Sequence, residues 1–289
     1  MKINIIGGSG IVGNGIFSVL SKNNVVEVFG SDSFDKNNLK YKNNKVFNCD
    51  VFVHAAGITD ELVNDDYDLA VYKSNKFIKY LIENLTKYDC KSIVYISTIH
   101  VYGNLDKLVN PNPISIYSLL HYSTEKTFEI LLKNYKKKIN LLCLRIPTVY
   151  GFPYNIDKLN RPNIIQFSFP FSVIENNQIT LKTSGNQYRL FSSNFKVGNV
   201  IEKWILDLDK NQFTIENVDG KNITVKNFAK LCLKQNNLLN DSKSKLILNN
   251  VVNDNNIHKS IKVESFYKCS ETYTINQFIN DIYQYYNKF

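Results

Sequence analysis

The chain has 289 residues, of which 44% are hydrophobic and 21% charged, as in an ordinary globular protein with a sizeable core. No apolar run approaches the roughly 20 residues that a membrane-spanning helix needs, so we expect no membrane segment. The net charge is +9, but only three of the 35 basic residues are arginines and they lie far apart. This composition argues against a nucleic-acid partner, because such proteins concentrate arginine and lysine on one surface.

The five cysteines are widely spaced and form no CxxC pair, which argues against a zinc or redox motif. The four histidines have no ligand spacing either, so we expect no metal site. A strand-like run begins at Ile3 and leaves no room for the charged and apolar regions of a signal peptide. A cytoplasmic protein with reduced thiols is therefore expected.

Short β-branched runs alternate with amphipathic helical stretches over the first half of the chain. The alternation predicts an α/β fold with a Rossmann-type, doubly wound parallel sheet that is covered by helices on both faces. The predicted strands are 3–6, 25–29, 51–56, 92–97 and 141–146, and the predicted helices are 11–20, 68–88 and 117–135.

Beyond Gly151 the pattern loosens, with a helix predicted at 194–208, a strand at 213–217 and amphipathic stretches at 225–234 and 275–286. We therefore predict a dinucleotide-binding Rossmann domain over 1–151, to which residues 191–212 return. Residues 152–190 and 213–289 are predicted to form a small, interwoven C-terminal substrate-binding lobe.

A glycine-rich turn stands between the first predicted strand and the first helix, where Gly7, Gly10 and Gly13 have the spacing GxxGxxG. Glycines at these positions permit a tight turn, close approach of a pyrophosphate, and packing of the helix against the strand. Ile11 and Val12 open the helix, whose N-terminus favours an anion. We expect this segment to bind the diphosphate of a dinucleotide.

Asp32 follows the second predicted strand, where an acidic side chain can bond both hydroxyls of an adenosine ribose and repel a 2′-phosphate. Asp32 therefore favours NAD, although NADP stays open because Asp32 could instead cap a helix or a turn. The stretch from Asp32 to Asp50 is too short for a full strand and helix, so this region should be abbreviated.

Small residues and hydroxyls follow the next strands, at the sheet edge where open parallel sheets bind ligands. Ala55, Ala56 and Gly57 close one strand and would let a dinucleotide lie flat against the backbone. Thr98 and His100 follow the next strand and are expected to contact substrate. In the helix after them, Tyr117 and His121 are four residues apart and share one face.

With these motifs the chain resembles an extended short-chain dehydrogenase/reductase of the NAD-dependent epimerase/dehydratase family, which acts mainly on nucleotide sugars. Three further segments match the family's pattern. Asn75 stands where the family has an Asn in its fourth helix, Arg145–Gly151 resembles RPxNVYG, and 184–191 resembles GxxxRxF. The resemblance implies a cofactor contact for Asn75 and substrate contacts for Thr148 and Arg189.

The resemblance also implies catalytic roles. In the family a Ser/Thr and a Tyr bind the sugar oxygen, and a Lys four residues after the Tyr binds the nicotinamide ribose and lowers the Tyr pKa. These positions hold Thr98, Tyr117 and His121, so His replaces the Lys. Tyr122 and Lys126 have the same YxxxK spacing and form a rival register. Pro113 and Glu125 favour the register of Tyr117, because they complete the family's PxxxYxxxKxxxE pattern.

An imidazole is mostly neutral at pH 7 and does little to ionise a nearby tyrosine, whereas ketone reduction needs that tyrosine protonated. We therefore expect an NAD(P)-dependent reductase of a 4-keto sugar nucleotide, with His121 on the cofactor ribose. Two alternatives stay open: a nucleotide-sugar C4 epimerase, and a catalytically decayed nucleotide-binding sensor. A homodimer is compatible with the sequence, which does not decide the oligomeric state.

Overall fold

In the computed structural model the chain is described at residues 1–35, 38–103, 105, 110–135, 137–159, 161–207, 213–240, 243–248 and 260–287. The strands in these ranges are β1 Lys2–Ile6, β2 Val25–Phe29, β3 Phe34–Asp35, β4 Lys40–Tyr41, β5 Val51–His54, β6 Ser92–Thr98, β7 Asn140–Ile146, β8 Thr148–Tyr150, β9 Gln178–Leu181, β10 Tyr188–Ser193, β11 Phe213–Asn217, β12 Lys221–Thr224 and β13 Lys245–Leu248. The α-helices are α1 Ile11–Leu20, α2 Asp60–Asp65, α3 Tyr67–Ser74, α4 Lys76–Lys87, α5 Ile116–Asn134, α6 Ile165–Asn176, α7 Asn194–Leu206, α8 Val225–Asn240 and α9 Ile275–Tyr286.

Six strands form the central sheet in the order β11-β7-β6-β5-β1-β2, and every neighbouring pair is parallel. Because the strands are parallel, their carboxyl ends meet at one edge, where β1, β5 and β6 deliver the segments that the sequence marks as functional. The predicted Rossmann-type α/β fold is confirmed.

Helices cover both faces of this sheet, which is why its inner strands are apolar on both sides. On one face, Val51, Val94 and Leu142 pack with residues of α1 and α7, including the fully buried Trp204. On the other face, the side chains of β5, β6 and β7 pack against α4 and α5. Each face therefore has its own apolar cluster, and the two clusters hold the strand ends in fixed positions.

The sheet ends at β2, and the region after it is short, as its length predicts. Residues 34–50 contain the two-residue strands β3 and β4, which pair with each other, and a 3-10 turn at Asn44–Phe47. Phe34 and Tyr41 of this hairpin pack edge-on, with ring centroids 5.6 Å apart. These short elements stand in place of a further strand and helix.

A third apolar cluster lies in the C-terminal part, where α6, α8 and α9 pack around Phe167, Phe228 and Phe278. Two small sheets, β12-β10-β8 and β13-β9, belong to this part. One boundary of the predicted lobe is wrong: β11 lies in the central sheet, where it pairs with β7 from Phe213 to Asn217. The alternation marks a strand correctly, but only the tertiary fold decides which sheet it joins. The division into two functional lobes otherwise stays a prediction.

Within the described ranges, no helix combines the length and the apolar character that crossing a membrane requires. The same ranges hold no group of three or more His, Cys, Asp or Glu residues arranged to bind a metal ion.

Candidate active site

A deep cleft of about 1430 Å³ lies between the carboxyl edge of the central sheet and the C-terminal part. A pocket for one drug-sized ligand has roughly 300 to 1,000 Å³, so this cleft has room for two ligands side by side. The predicted site residues that line it are Gly7, Gly10, Ile11, Val12, Gly13, Asp32, Ala55, Ala56, Gly57, Thr98, His100, Tyr117, Thr148 and Arg189.

The glycine loop has the geometry that its spacing predicts. Gly7 has φ +79°, and a Cβ there would lie 2.7 Å from the amide nitrogen of Ala56. A Cβ on Gly13 would lie 2.2 Å from the carbonyl oxygen of Gly7, so only glycine allows α1 to start this close to the loop. At Gly10 the nearest such atom is 3.4 Å away, which leaves the start of α1 open towards the cleft. The loop fits the diphosphate of a dinucleotide.

Asp32 lies beside this loop, in the 3-10 turn Ser31–Ser33 that follows β2. Its Oδ1 atom is 2.8 Å from the position that a Cβ on Gly30 would take, and the hydroxyl of Ser9 lies 3.9 Å from the same point. The carboxylate is therefore held next to the turn into α1, where it can accept hydrogen bonds from ribose hydroxyls. Ala55 and Ala56 form the adjoining wall at the end of β5.

Tyr117 and Thr98 lie at the other end of the cleft. Thr98 ends β6, and its hydroxyl accepts a hydrogen bond from the backbone N–H of His100 at 3.2 Å. Burial and the Asp60 carboxylate raise the pKa of Tyr117, while its hydrogen bond with Thr98 opposes the shift. Two hydroxyls that face the cleft together can bind one substrate oxygen, and the phenol stays protonated around neutral pH.

Helix α5 presents Tyr117 from its first turn. Ser115 caps this helix, accepting a hydrogen bond from the Ser118 backbone N–H while the Ser118 hydroxyl accepts one from the Ser115 backbone N–H. Tyr122 points elsewhere: its ring packs in the cluster of Ile99 and Leu190 and does not line the cleft. Between the two registers, the helix brings the tyrosine at position 117 to the site.

His121 is 3% exposed and does not line the cleft. Its Nδ1 atom is 2.7 Å from the hydroxyl of Tyr95, and its Nε2 atom is 3.1 Å from the carbonyl oxygen of Ile58. Burial lowers the pKa of His121 to about 4 despite the opposing effect of the Ile58 carbonyl, so the ring is neutral. The geometry does not support the predicted contact between His121 and the cofactor ribose, because both ring nitrogens are hydrogen-bonded to protein atoms.

Asn75 also differs from its prediction. It lies at the junction of α3 and α4, is exposed, and does not line the cleft. A match to the family's sequence pattern therefore does not bring this side chain to the cleft.

Glu125, eight residues after Tyr117 on α5, forms a buried ion pair with Arg145. Its carboxylate binds the Arg145 guanidinium through two hydrogen bonds, Nε–Oε1 at 3.0 Å and a terminal guanidinium nitrogen to Oε2 at 2.6 Å. The hydroxyl of Ser97 donates to the same carboxylate at 2.5 Å, and the guanidinium lies 4.7 Å from the ring centroid of Tyr102. This buried pair joins α5 to the ends of β6 and β7, directly behind Thr98.

The part of the cleft lined by His100 and Tyr117 carries both signs of charge. His100 and Arg189 line it together, and burial and the Arg189 charge both lower the pKa of His100. Asp60 and Arg161 line the same end but were missed from the sequence, because neither lies in a motif. Arg161 forms an ion pair with Glu61 at 2.9 Å. This pair links the loop before α6 to α2.

The amino-acid sequence of this chain matches one protein family over most of its length. A model of the NAD dependent epimerase/dehydratase family matches residues 3–193, about two thirds of the chain. The chain belongs to this family. The predicted family and its use of NAD are therefore confirmed, whereas a search of curated proteins finds no significant match.

Solved structures similar to this epimerase/dehydratase family member cover the whole fold. UDP-N-acetylglucosamine 4-epimerase from Methanobrevibacter ruminantium M1, with UDP-N-acetylmuramic acid bound, has a TM-score of 0.76 at 18% identity over 100% of this chain and 99% of that one. UDP-glucuronic acid 4-epimerase from Bacillus cereus, with UDP-glucuronic acid and NAD, has a TM-score of 0.74 at 20% identity over 100% and 99%. RMD from Pseudomonas aeruginosa, complexed with NADPH, has a TM-score of 0.75 at 14% identity over 99% of each chain.

Proposed function

We propose that this family member reduces a keto group of a nucleotide-linked sugar, most simply a 4-keto-6-deoxy sugar nucleotide, with NADH as the reductant. One observation carries the proposal: both nitrogens of His121 are bonded to protein atoms and the ring is neutral, so the residue in the position of the family's Lys supplies no positive charge that would lower the pKa of Tyr117. A protonated phenol is the form that ketone reduction requires. An epimerase needs the same group as a base in one half of its cycle.

Each of these residues of the cleft has its own role in the proposed reaction. The bound cofactor supplies a hydride. The Tyr117 hydroxyl donates its proton to the oxygen of the reacting carbon, and the Thr98 hydroxyl donates a hydrogen bond to the same oxygen. Arg189 suits the diphosphate of the sugar nucleotide, because a guanidinium binds two phosphate oxygens at once. His100 and Thr148 line the intervening space and can bond sugar hydroxyls.

The pH dependence of turnover tests this proposal. We expect kcat for ketone reduction to be flat between about pH 7 and pH 9. The reason is that the pKa of Tyr117 is raised, whereas the pKa of His100 and that of His121 are lowered, the latter to about 4, so none of these groups titrates in the window. A loss of half the rate between pH 7 and pH 9 would show that the phenol ionises there. It would overturn the assignment of Tyr117 as a general acid that stays protonated in this range.

The preference for NADH rests on Asp32. Replacing Asp32 by Asn removes the charge that repels a 2′-phosphate, so the ratio of NADPH to NADH affinity should rise about tenfold. Fluorescence titration of the two reduced cofactors measures this ratio. Asp68→Asn, which removes an exposed charge from the first turn of α3, is the matched control and should leave the ratio unchanged. Equal ratios in both variants would mean that Asp32 does not contact the ribose.

A further inference from the structure

Tyr95 lies in the middle of β6, is 1% exposed, and is not part of any motif that the sequence marks. Its hydroxyl meets Nδ1 of His121 at 2.7 Å, and Nε2 of His121 meets the Ile58 carbonyl oxygen at 3.1 Å. A carbonyl oxygen only accepts, so Nε2 must carry the hydrogen. Nδ1 is then the acceptor and the Tyr95 hydroxyl the donor, which fixes one tautomer of His121.

Two parts of the active site depend on where this imidazole stands. The ring of Tyr117 packs edge-on against it, with centroids 4.7 Å apart. Its bond to Ile58 holds the turn after β5, where the neighbouring residues Gly57 and Thr59 line the cleft. A shift of the imidazole would therefore move both the phenol and the cofactor-facing wall.

We propose that Tyr95 is a positioning residue that locks His121 in its Nε2–H tautomer and thereby sets the place of the Tyr117 ring and of the Gly57–Thr59 turn. The catalytic consequence rests on the proposed function, because it requires that Tyr117 transfers the proton. The structural part does not depend on the proposed function. Through its two hydrogen bonds the neutral His121 ring connects β6 to the β5–α2 turn, a connection that we call the strut, and it gives neither nitrogen to the cofactor ribose.

Nuclear magnetic resonance of the ring nitrogens tests the strut without any turnover. The full chain is labelled with ¹⁵N-histidine, and the His121 signals are assigned by their loss in His121→Asn. We expect one neutral tautomer with hydrogen on Nε2, and we expect saturating NADH to leave that tautomer unchanged. A mixture of tautomers, hydrogen on Nδ1, or release of the Ile58 bond on adding NADH would overturn the proposal.

Kinetics of Tyr95→Phe test the positioning role. Because misplacement of a reacting group by about 1 Å can cost up to 10²-fold in rate, we expect about a tenfold loss of kcat with both KM values changed less than about twofold. Tyr283→Phe is the matched control. Its hydroxyl, also fully buried, donates to the Cys232 carbonyl at 2.9 Å in the C-terminal cluster. It should show a similar stability loss and normal kcat.

The two measurements separate failure of this inference from failure of the proposed function. An enzyme with no ketone reductase activity but a locked Nε2–H tautomer would refute only the reaction. Normal kcat in Tyr95→Phe, or equal losses of kcat in Tyr95→Phe and Tyr283→Phe, would refute the positioning role. If Tyr95→Phe does not fold, the spectra of the wild-type chain with and without NADH still decide whether the strut exists.

Discussion

Replacing Tyr117 by Phe is expected to lower kcat for ketone reduction by about 10²- to 10⁴-fold, the range that a positioned general acid contributes. The ring packing against His121 survives in Phe, so the loss falls on the proton donor alone. The affinity for NADH should change little, because the interaction is made in the transition state. Initial rates and a fluorescence titration on the same preparation measure both quantities.

Tyr122→Phe is the control for this experiment, since Tyr122 is on the same helix and its ring packs with Ile99 and Leu190 outside the cleft. It should keep near-normal turnover. Loss of activity in Tyr122→Phe together with normal activity in Tyr117→Phe would mean that the rival register, with Lys126, is the catalytic one.

Replacing Glu125 by Ala is expected to lower the free energy of unfolding by about 3–5 kcal/mol, because it leaves a buried guanidinium without its counter-charge. Arg145 and Glu125 have side chains only 3% and 1% exposed, and two hydrogen bonds join them. The Ser97 hydroxyl loses its acceptor as well. Urea unfolding followed by far-ultraviolet circular dichroism measures the change.

Glu129→Ala provides the comparison on the same helix, because Glu129 pairs with Lys126 and Lys133 near the surface. Ion pairs whose lysine partners are exposed, as these are, contribute at most about 1 kcal/mol each. A double replacement of Glu125 by Leu and Arg145 by Met should recover much of the lost stability, since no charge is then left unpaired. Equal effects of Glu125→Ala and Glu129→Ala would contradict the role given to the buried pair.

Most of the fold could be predicted from the sequence, because the buried parallel strands read as continuous apolar runs and the helices between them as amphipathic stretches. The turn at Gly7 and the packing at Gly13 followed in the same way, since only glycine satisfies their backbone geometry. The partner of β11 could not be predicted, because an alternating run of five residues shows a strand without showing its neighbour.

The part of the site that escaped prediction depends on contacts between distant segments. The bonding of His121 on α5 is set by Tyr95 on strand β6 and by the carbonyl of Ile58, and a backbone acceptor leaves no mark in a sequence. Asp60 and Arg161 reach the cleft from a helix start and a loop that carry no recognisable spacing. Asn75 differs in the opposite way: its position matches the family's pattern, but the residue is exposed at the junction of α3 and α4 and does not line the cleft.

The measurement that tests the central claim most directly is the stoichiometry of cofactor consumption with a 4-keto-6-deoxy sugar nucleotide. The purified protein should carry little bound cofactor, and each ketone converted to an alcohol should oxidise one added NADH, because a reductase does not regenerate its hydride donor. Protein that purifies with NAD retained and interconverts two C4 epimers without net NADH oxidation would contradict the proposal and identify an epimerase.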